Sequence, residues 1–177
     1  ELGYEIFHPI EQQISLYQTL MGTGDAFDLR MFGMYAMESM RLEKCYLGWK
    51  SEMNLHHTPL ETPVAWTIKW DKDFIGKSGL EKQRATGAPR QLVCMTVAAE
   101  DADPWGYNPI FNGDEMVGMT SSGGYGHRVG KSIALGYVPQ GLASPGTQLA
   151  VEVLGKKLAA QVVTMPLYDP ENKRMKT

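Results

Sequence analysis

Glu5, Arg41 and one glycine-rich run are the features of this sequence whose residue types and spacing bear on chemistry. Glu5 lies between Tyr4 and Ile6 in a strand-like stretch, where a carboxylate is disfavoured unless it has a partner. Side chains alternate across a strand, so an exposed face accommodates the same residue. Arg41 stands near the end of a segment rich in Met and Leu, which favours a guanidinium that is partly buried and paired. Pattern alone favours the plainer arrangement, a solvated helix face on which Arg41 meets Glu43 or Glu38. The run Ser121-Ser122-Gly123-Gly124-Tyr125-Gly126 is the nearest thing to a phosphate cradle. No helical pattern follows it, so a loop using positive φ angles is expected instead. Four histidines (His8, His56, His57, His127) are scattered, and the adjacent pair points its rings apart on most backbones, a poor metal site. No phosphate loop, nucleophile elbow or metal-ligand cluster is present.

Bulk composition excludes several classes of partner. The 177 residues carry a net charge of −3, with 9 basic and 12 acidic residues over 1–88 and 8 of each over 89–177. Neither half has the basic excess that nucleic acid or an anionic membrane surface requires. No apolar run approaches the roughly 20 residues of a membrane span, and a soluble chain is expected. Hydrophobic residues at 43% and charged residues at 21% are an ordinary globular balance. Cys45 and Cys94 form neither a disulfide framework nor a zinc motif, which suits a reducing compartment. The opening Glu1-Leu2-Gly3-Tyr4-Glu5-Ile6 has no Met and is already strand-like, so it reads as a fragment of something longer.

The elements that must position these residues fall into two kinds. Residues 2–8 alternate as a strand, and Pro9 opens a helix over 9–22 whose stripe of Ile10, Ile14, Tyr17 and Met21 reads as core. A second helix is expected over 34–44, a strand over 64–70 and a short charged helix over 77–86. Gly87-Ala88-Pro89 is the best internal boundary. After it the chain reads as all-β, with strands expected over 91–98, 108–111, 115–122, 132–138, 148–153 and 157–164. Asn112-Gly113-Asp114 and Leu154-Gly155-Lys156 are among the turns. The expected fold is therefore α+β: a mixed α/β, ferredoxin-like unit over 1–88, then a small antiparallel β-barrel or jelly roll over 89–177.

Several stretches, in order, resemble the glycine-cleavage T-protein (aminomethyltransferase) superfamily. They are Gly3-Tyr4-Glu5-Ile6, Met40-Arg41-Leu42-Glu43-Lys44, Thr58-Pro59-Leu60-Glu61 and Asp73-Phe74-Ile75-Gly76-Lys77. Val117-Gly118-Met119-Thr120-Ser121-Ser122-Gly123 and Ile133-Ala134-Leu135-Gly136-Tyr137-Val138-Pro139 complete the series. Together they cover nearly the whole chain. Asp101-Ala102-Asp103-Pro104 and Lys131-Ser132-Ile133-Ala134 look like the branch of dimethylglycine and sarcosine dehydrogenases. Stand-alone T-proteins usually carry an arginine where this chain reads Trp105-Gly106-Tyr107-Asn108-Pro109-Ile110, a departure that favours the flavoprotein branch.

The resemblance implies a division of labour. In the parent, a flavin (FAD) domain oxidises an N-methyl amine to an iminium, and tetrahydrofolate bound by this region captures the carbon as 5,10-methylene-tetrahydrofolate. The region itself supplies binding, orientation and shielding from water. By the same resemblance Glu5, beside Tyr4, is the pterin-binding glutamate, its two oxygens matching the 2-amino group and ring N–H. Arg41 matches an arginine near the folate, and Trp66 a position near the pterin pocket where it either stacks on the ring or packs in the core. The general-base aspartate is expected upstream of this chain, which is therefore expected to be inactive alone, with no FAD and no metal. Its partners would be folate, the iminium and the flavin domain, in the cytoplasm or, in a eukaryote, the mitochondrial matrix. Competing readings are a stand-alone aminomethyltransferase, a folate-dependent demethylase, or a non-catalytic folate-binding module.

Overall fold

A computed structural model of the chain describes residues 3–176. Its centre is a closed antiparallel barrel of six strands: β1 (Arg90–Val97), β2 (Pro109–Asn112), β3 (Glu115–Gly126), β4 (Lys131–Pro139), β5 (Gln148–Val153) and β6 (Lys156–Val163). Strand order around the barrel is β1-β4-β3-β2-β5-β6, so every ladder is satisfied and no open edge remains among these strands. The β5–β6 turn places Leu154 and Gly155 at positive φ, the geometry that a two-residue hairpin needs.

Strand β1 shows how two cores share one barrel wall. Its odd residues Val93, Met95 and Val97 point inward with Ile110, Val138, Val151 and Val162. Its even residues Leu92 and Cys94 point outward, under Leu42, Cys45, Ile133, Leu135 and Tyr137. Each such side chain contributes about 1.5–3 kcal/mol when taken fully out of water. The outward layer is covered by α2 (Met34–Glu43), whose last turn buries Leu42 and Glu43. The covering is tight because β3 carries glycines there: an added Cβ would lie 3.3 Å from Leu42 Cδ1 at Gly124 and 3.0 Å from Glu43 Cγ at Gly126.

That finding corrects the expectation of a loop over 121–126. The run is the second half of β3, paired with β4 as Gly123↔Ala134 and Gly124↔Ile133. Gly123, Gly124 and Gly126 are not at positive φ. Their role is close approach, so composition alone misread them.

The region before the barrel has helices but not the expected strands. α1 (Gln13–Gly24), α2 and α3 (Lys77–Thr86) form close to where periodicity placed them. Leu2 lies outside the described residues, and residues 3–8 have no ladder partner among them. An extended segment becomes a strand only by pairing. Residues 64–70 contain a 3-10 turn at Ala65–Thr67 instead of a strand, again with no partner. The α1 stripe is not core within this chain either, since Ile10 is 73% exposed and Ile14 72%. An apolar stripe needs an opposing layer, and the barrel is engaged by α2, while α1 packs mainly on the short turns flanking it. The α+β class holds, with the strands all in the barrel.

Candidate functional site

The site is assembled where the end of α2, the 46–58 segment and the middle of β3 converge. Helix geometry sets Glu38 and Arg41 one turn apart, so they pair along α2. Arg41 Nε donates to Glu38 Oε2 at 2.9 Å, and Nη2 donates to the same oxygen. Nη1 reaches the Tyr46 carbonyl at 2.9 Å and Glu52 Oε2 at 3.1 Å. Nη2 also donates to Ser122 Oγ at 2.9 Å. The Arg41 side chain is 14% exposed and the Glu52 side chain 0%.

Glu52 is a buried carboxylate with five donors. Ser121 Oγ and Ser122 Oγ donate to Oε1 at 2.5 and 2.6 Å. The Gly48 amide and Ser51 Oγ donate to Oε2 at 2.7 and 2.8 Å, beside Arg41. Burial is the largest influence on its acidity and pushes the pKa up. The hydrogen bonds from Ser121, Ser122, Gly48 and Ser51 together outweigh it and hold the carboxyl below its ordinary value. The segment is closed on its other side by Tyr137, whose hydroxyl donates to the Glu52 carbonyl at 2.7 Å. Burial first, then the Glu61 and Glu52 charges, push the Tyr137 phenol well above its usual range.

A second cluster adjoins this one. The His57 ring stacks on Tyr137 with centroids 3.6 Å apart. Desolvation, then the Arg90 charge, hold the His57 pKa below its ordinary value against the opposing pull of Glu61. Glu61, itself buried, accepts the Thr58 backbone amide at 2.9 Å and Arg90 Nε at 3.1 Å. The Thr58-Pro59-Leu60-Glu61 motif is therefore a self-closing 3-10 turn tied to the first residue of the barrel. Glu43, in the motif with Arg41, accepts the amides of Arg128 and Val129 at 2.5 and 3.0 Å and so fixes the β3–β4 turn.

Of the residues singled out from sequence, Arg41 sits at the centre of this network, partly buried and paired with Glu38. Of the helix-face arrangement only the Glu38 pair forms, with Arg41 largely buried, and Glu43 faces the hairpin instead. Glu5 is exposed with no hydrogen bond or ion pair among the described residues. Tyr4 is 82% and Trp66 78% exposed, so Trp66 is not core-packed. The structure brings none of these three into hydrogen bond or ring contact with Arg41 among the described residues. Sequence reasoning missed Glu52 and Arg90, and named Ser122 and Glu61 only as members of motifs. A lone carboxylate in an irregular segment has no periodicity to betray it, and the adjacent serines of β3 were the one visible signal.

Two clefts flank the network. One of ≈ 360 Å³ is lined by Glu38, Arg41, Trp49, Lys50, Trp105 and Tyr107 among others. A larger one of ≈ 800 Å³ runs past His57, Arg90 and Tyr137, and the two share Ser51, Tyr107 and Ser121. No group of three or more His, Cys, Asp or Glu suited to a metal ion occurs among the described residues.

This geometry can be compared with known proteins. Residues 90–169 match the glycine cleavage T-protein C-terminal barrel domain, and residues 1–72 match the GCVT N-terminal domain. The chain belongs to the glycine cleavage T-protein family. Human mitochondrial dimethylglycine dehydrogenase is 41% identical over 176 residues, 98% of this chain but 20% of that protein. Mouse mitochondrial sarcosine dehydrogenase is 34% identical over 99% of this chain and 20% of its own length. An aminomethyltransferase of Desulforamulus reducens is 33% identical over 97% of this chain and 47% of its own. The chain thus spans a fifth of the dehydrogenases and about half of the aminomethyltransferases it matches. In fold, the Bartonella henselae aminomethyltransferase T superimposes with a TM-score of 0.82 at 24% identity, over 92% of this chain and 45% of that one. No helix among the described residues is long and apolar enough to cross a membrane.

Proposed function

We propose that this chain is the folate-binding C-terminal region of an FAD-dependent N-methylamine dehydrogenase, acting on a dimethylglycine- or sarcosine-like amine. The observation that carries this reading is the 41% identity to dimethylglycine dehydrogenase over nearly the whole chain, from a relative five times longer. In this reading residues 1–88 are the C-terminal part of the folate-binding domain and 89–177 its barrel domain. The exposed apolar side chains Phe7, Ile10, Ile14 and Phe32 support it, because they need a neighbouring layer that these residues do not supply.

Tetrahydrofolate would supply a nucleophilic nitrogen that takes up the one-carbon unit. One observation supports such a ligand: Glu5 is an exposed carboxylate with no hydrogen bond or ion pair among the described residues. Its two oxygens accept the pterin's amino group and ring N–H, a charge-assisted pair contributing about 1.5–3 kcal/mol per hydrogen bond. Tyr4 flanks that contact, Trp66 offers a free face for stacking, and Arg41 holds the α2 end of the site in place. The chain's own work is to bind, orient and exclude water from an electrophilic carbon. FAD and the general base belong to the rest of the parent, so the chain alone is inactive, and a eukaryotic parent works in the mitochondrial matrix.

The test is tetrahydrofolate binding by calorimetry on the full-length parent and its Glu5→Ala variant. Micromolar binding that is lost on substitution is the expected result. Absence of binding by the intact parent removes the folate reading. A stand-alone aminomethyltransferase is the second reading, favoured by the 33% identity to a protein of which this chain spans 47%. Flavin bound to the purified parent excludes it.

A further inference from the structure

Arg41 has no donor left to offer a ligand. A guanidinium carries five N–H groups, and all five have acceptors: Glu38 twice, Ser122, the Tyr46 carbonyl and Glu52. Three of these acceptors cannot leave. The Tyr46 carbonyl is main chain, Glu52 is sealed from solvent, and Ser122 is buried in β3. Glu38 is different, because its side chain is 36% exposed on the surface of α2. It takes both of its bonds through one oxygen on the Nε–Nη2 edge, the edge that a guanidinium offers to carboxylates side-on. Of the two carboxylates on Arg41, it is the one within reach of solvent.

The surroundings say what would replace it. The cleft beside Glu38 and Arg41 is walled by Trp49, Trp105 and Tyr107, which are 77%, 58% and 78% exposed, and it includes the cationic Lys50. Flat apolar walls with one positive charge at hand and another masked suit an aromatic body that carries a carboxylate.

We propose that Glu38 is an internal stand-in for a ligand carboxylate. An aromatic carboxylate enters this cleft, displaces Glu38 from the Nε–Nη2 edge of Arg41 and takes over its two hydrogen bonds. Lys50 balances the released Glu38 charge, and Glu52 with Ser122 keeps the guanidinium fixed throughout. Arg41 is silent until the exchange. A benzoyl-glutamate group has this chemistry, and only the identification with a folate's far end rests on the function proposed above.

The experiment is calorimetry on the full-length parent with two probes, p-aminobenzoyl-glutamate and tetrahydrofolate. It compares wild type, Glu38→Ala, Glu38→Gln and Arg41→Lys. Alanine is a strong helix former, so α2 should persist, and an unchanged unfolding midpoint checks that. Removing the internal competitor should tighten p-aminobenzoyl-glutamate roughly fivefold or more, since apparent affinity is reduced by the fraction of sites that are free. Glu38→Gln should fall between, and Arg41→Lys should lose the effect. Equal or weaker affinity in Glu38→Ala overturns the proposal, as does tetrahydrofolate binding with no binding of the probe. Tighter probe binding in Glu38→Ala without any tetrahydrofolate binding sinks the folate reading and leaves this site standing.

Discussion

Arg41 Nη1 and Glu52 Oε2 meet at 3.1 Å, and the Glu52 side chain is wholly sealed from solvent. This pair joins α2 to an irregular segment, and Ser121 and Ser122 join both to the barrel. A charge in that position is stable only while each oxygen is hydrogen-bonded, and both are.

Removing the acceptor should therefore cost far more than an average substitution. Glu52→Ala leaves a buried guanidinium, the Ser51 and Ser122 hydroxyls and the Gly48 amide short of a partner, and we expect a loss of about 3–5 kcal/mol. Glu52→Gln keeps the shape and should lose less. Denaturant unfolding measures both, and a loss below about 1 kcal/mol for Glu52→Ala, the size of an ordinary substitution, would show that the network carries little of the fold.

Acid should act on the same group. The folded pKa of Glu52 is depressed, so its contribution is fully present above the ordinary carboxylate value. It is lost as pH falls through the lower folded value. Unfolding midpoints measured against pH should fall more gently on the acid side in Glu52→Gln than in wild type. Parallel curves would remove Glu52 as the cause.

His57 adds a separate limb at milder pH. Its folded pKa lies below the ordinary histidine value of 6.5, so the folded state binds fewer protons. Stability from this residue is present above that value and declines as pH falls through the folded pKa. The Nδ1 atom is buried with no hydrogen-bond partner. His57→Phe keeps a ring against Tyr137 and should flatten the stability profile below pH 6.5. A profile identical to wild type would refute the assignment.

Close approach at β3 should make its glycines intolerant. At Gly123 an added Cβ lies 2.5 Å from a main-chain oxygen that has no freedom to rotate away. Gly123→Ala should destabilise by about 1–3 kcal/mol as an overpacking strain. Gly113, at a turn with open space around it, is at φ 62. Gly113→Ala should cost something through backbone conformation alone. Comparing the two variants by thermal unfolding separates crowding from φ strain.

The α1 stripe gives the opposite expectation. Ile14 is 72% exposed, so Ile14→Ser should change the stability of this chain by no more than about 0.5 kcal/mol. The same change in the full-length parent should cost more if another layer covers the helix. Equal small effects in both would leave that face solvent-exposed in the parent as well.

Periodicity and turn chemistry determined much of this protein without help. The six barrel strands and three helices lie close to where alternation and helical spacing placed them, because those patterns are local and each element buries a face that its own sequence defines. Ordered motifs likewise indicated the family. What only the tertiary structure decided depended on partners distant in sequence. Residues 3–8 and 64–70 read as strands but find no neighbour to pair with among the described residues, and pairing is what makes a strand. The glycines of β3 looked like a loop until Pro104 and Ile133 were seen against them. Glu52 was invisible because a single carboxylate in an irregular segment has no pattern. Its importance comes from two serines about seventy positions away and an arginine on α2. A sequence records which groups are available, and only the packed chain determines which of them meet.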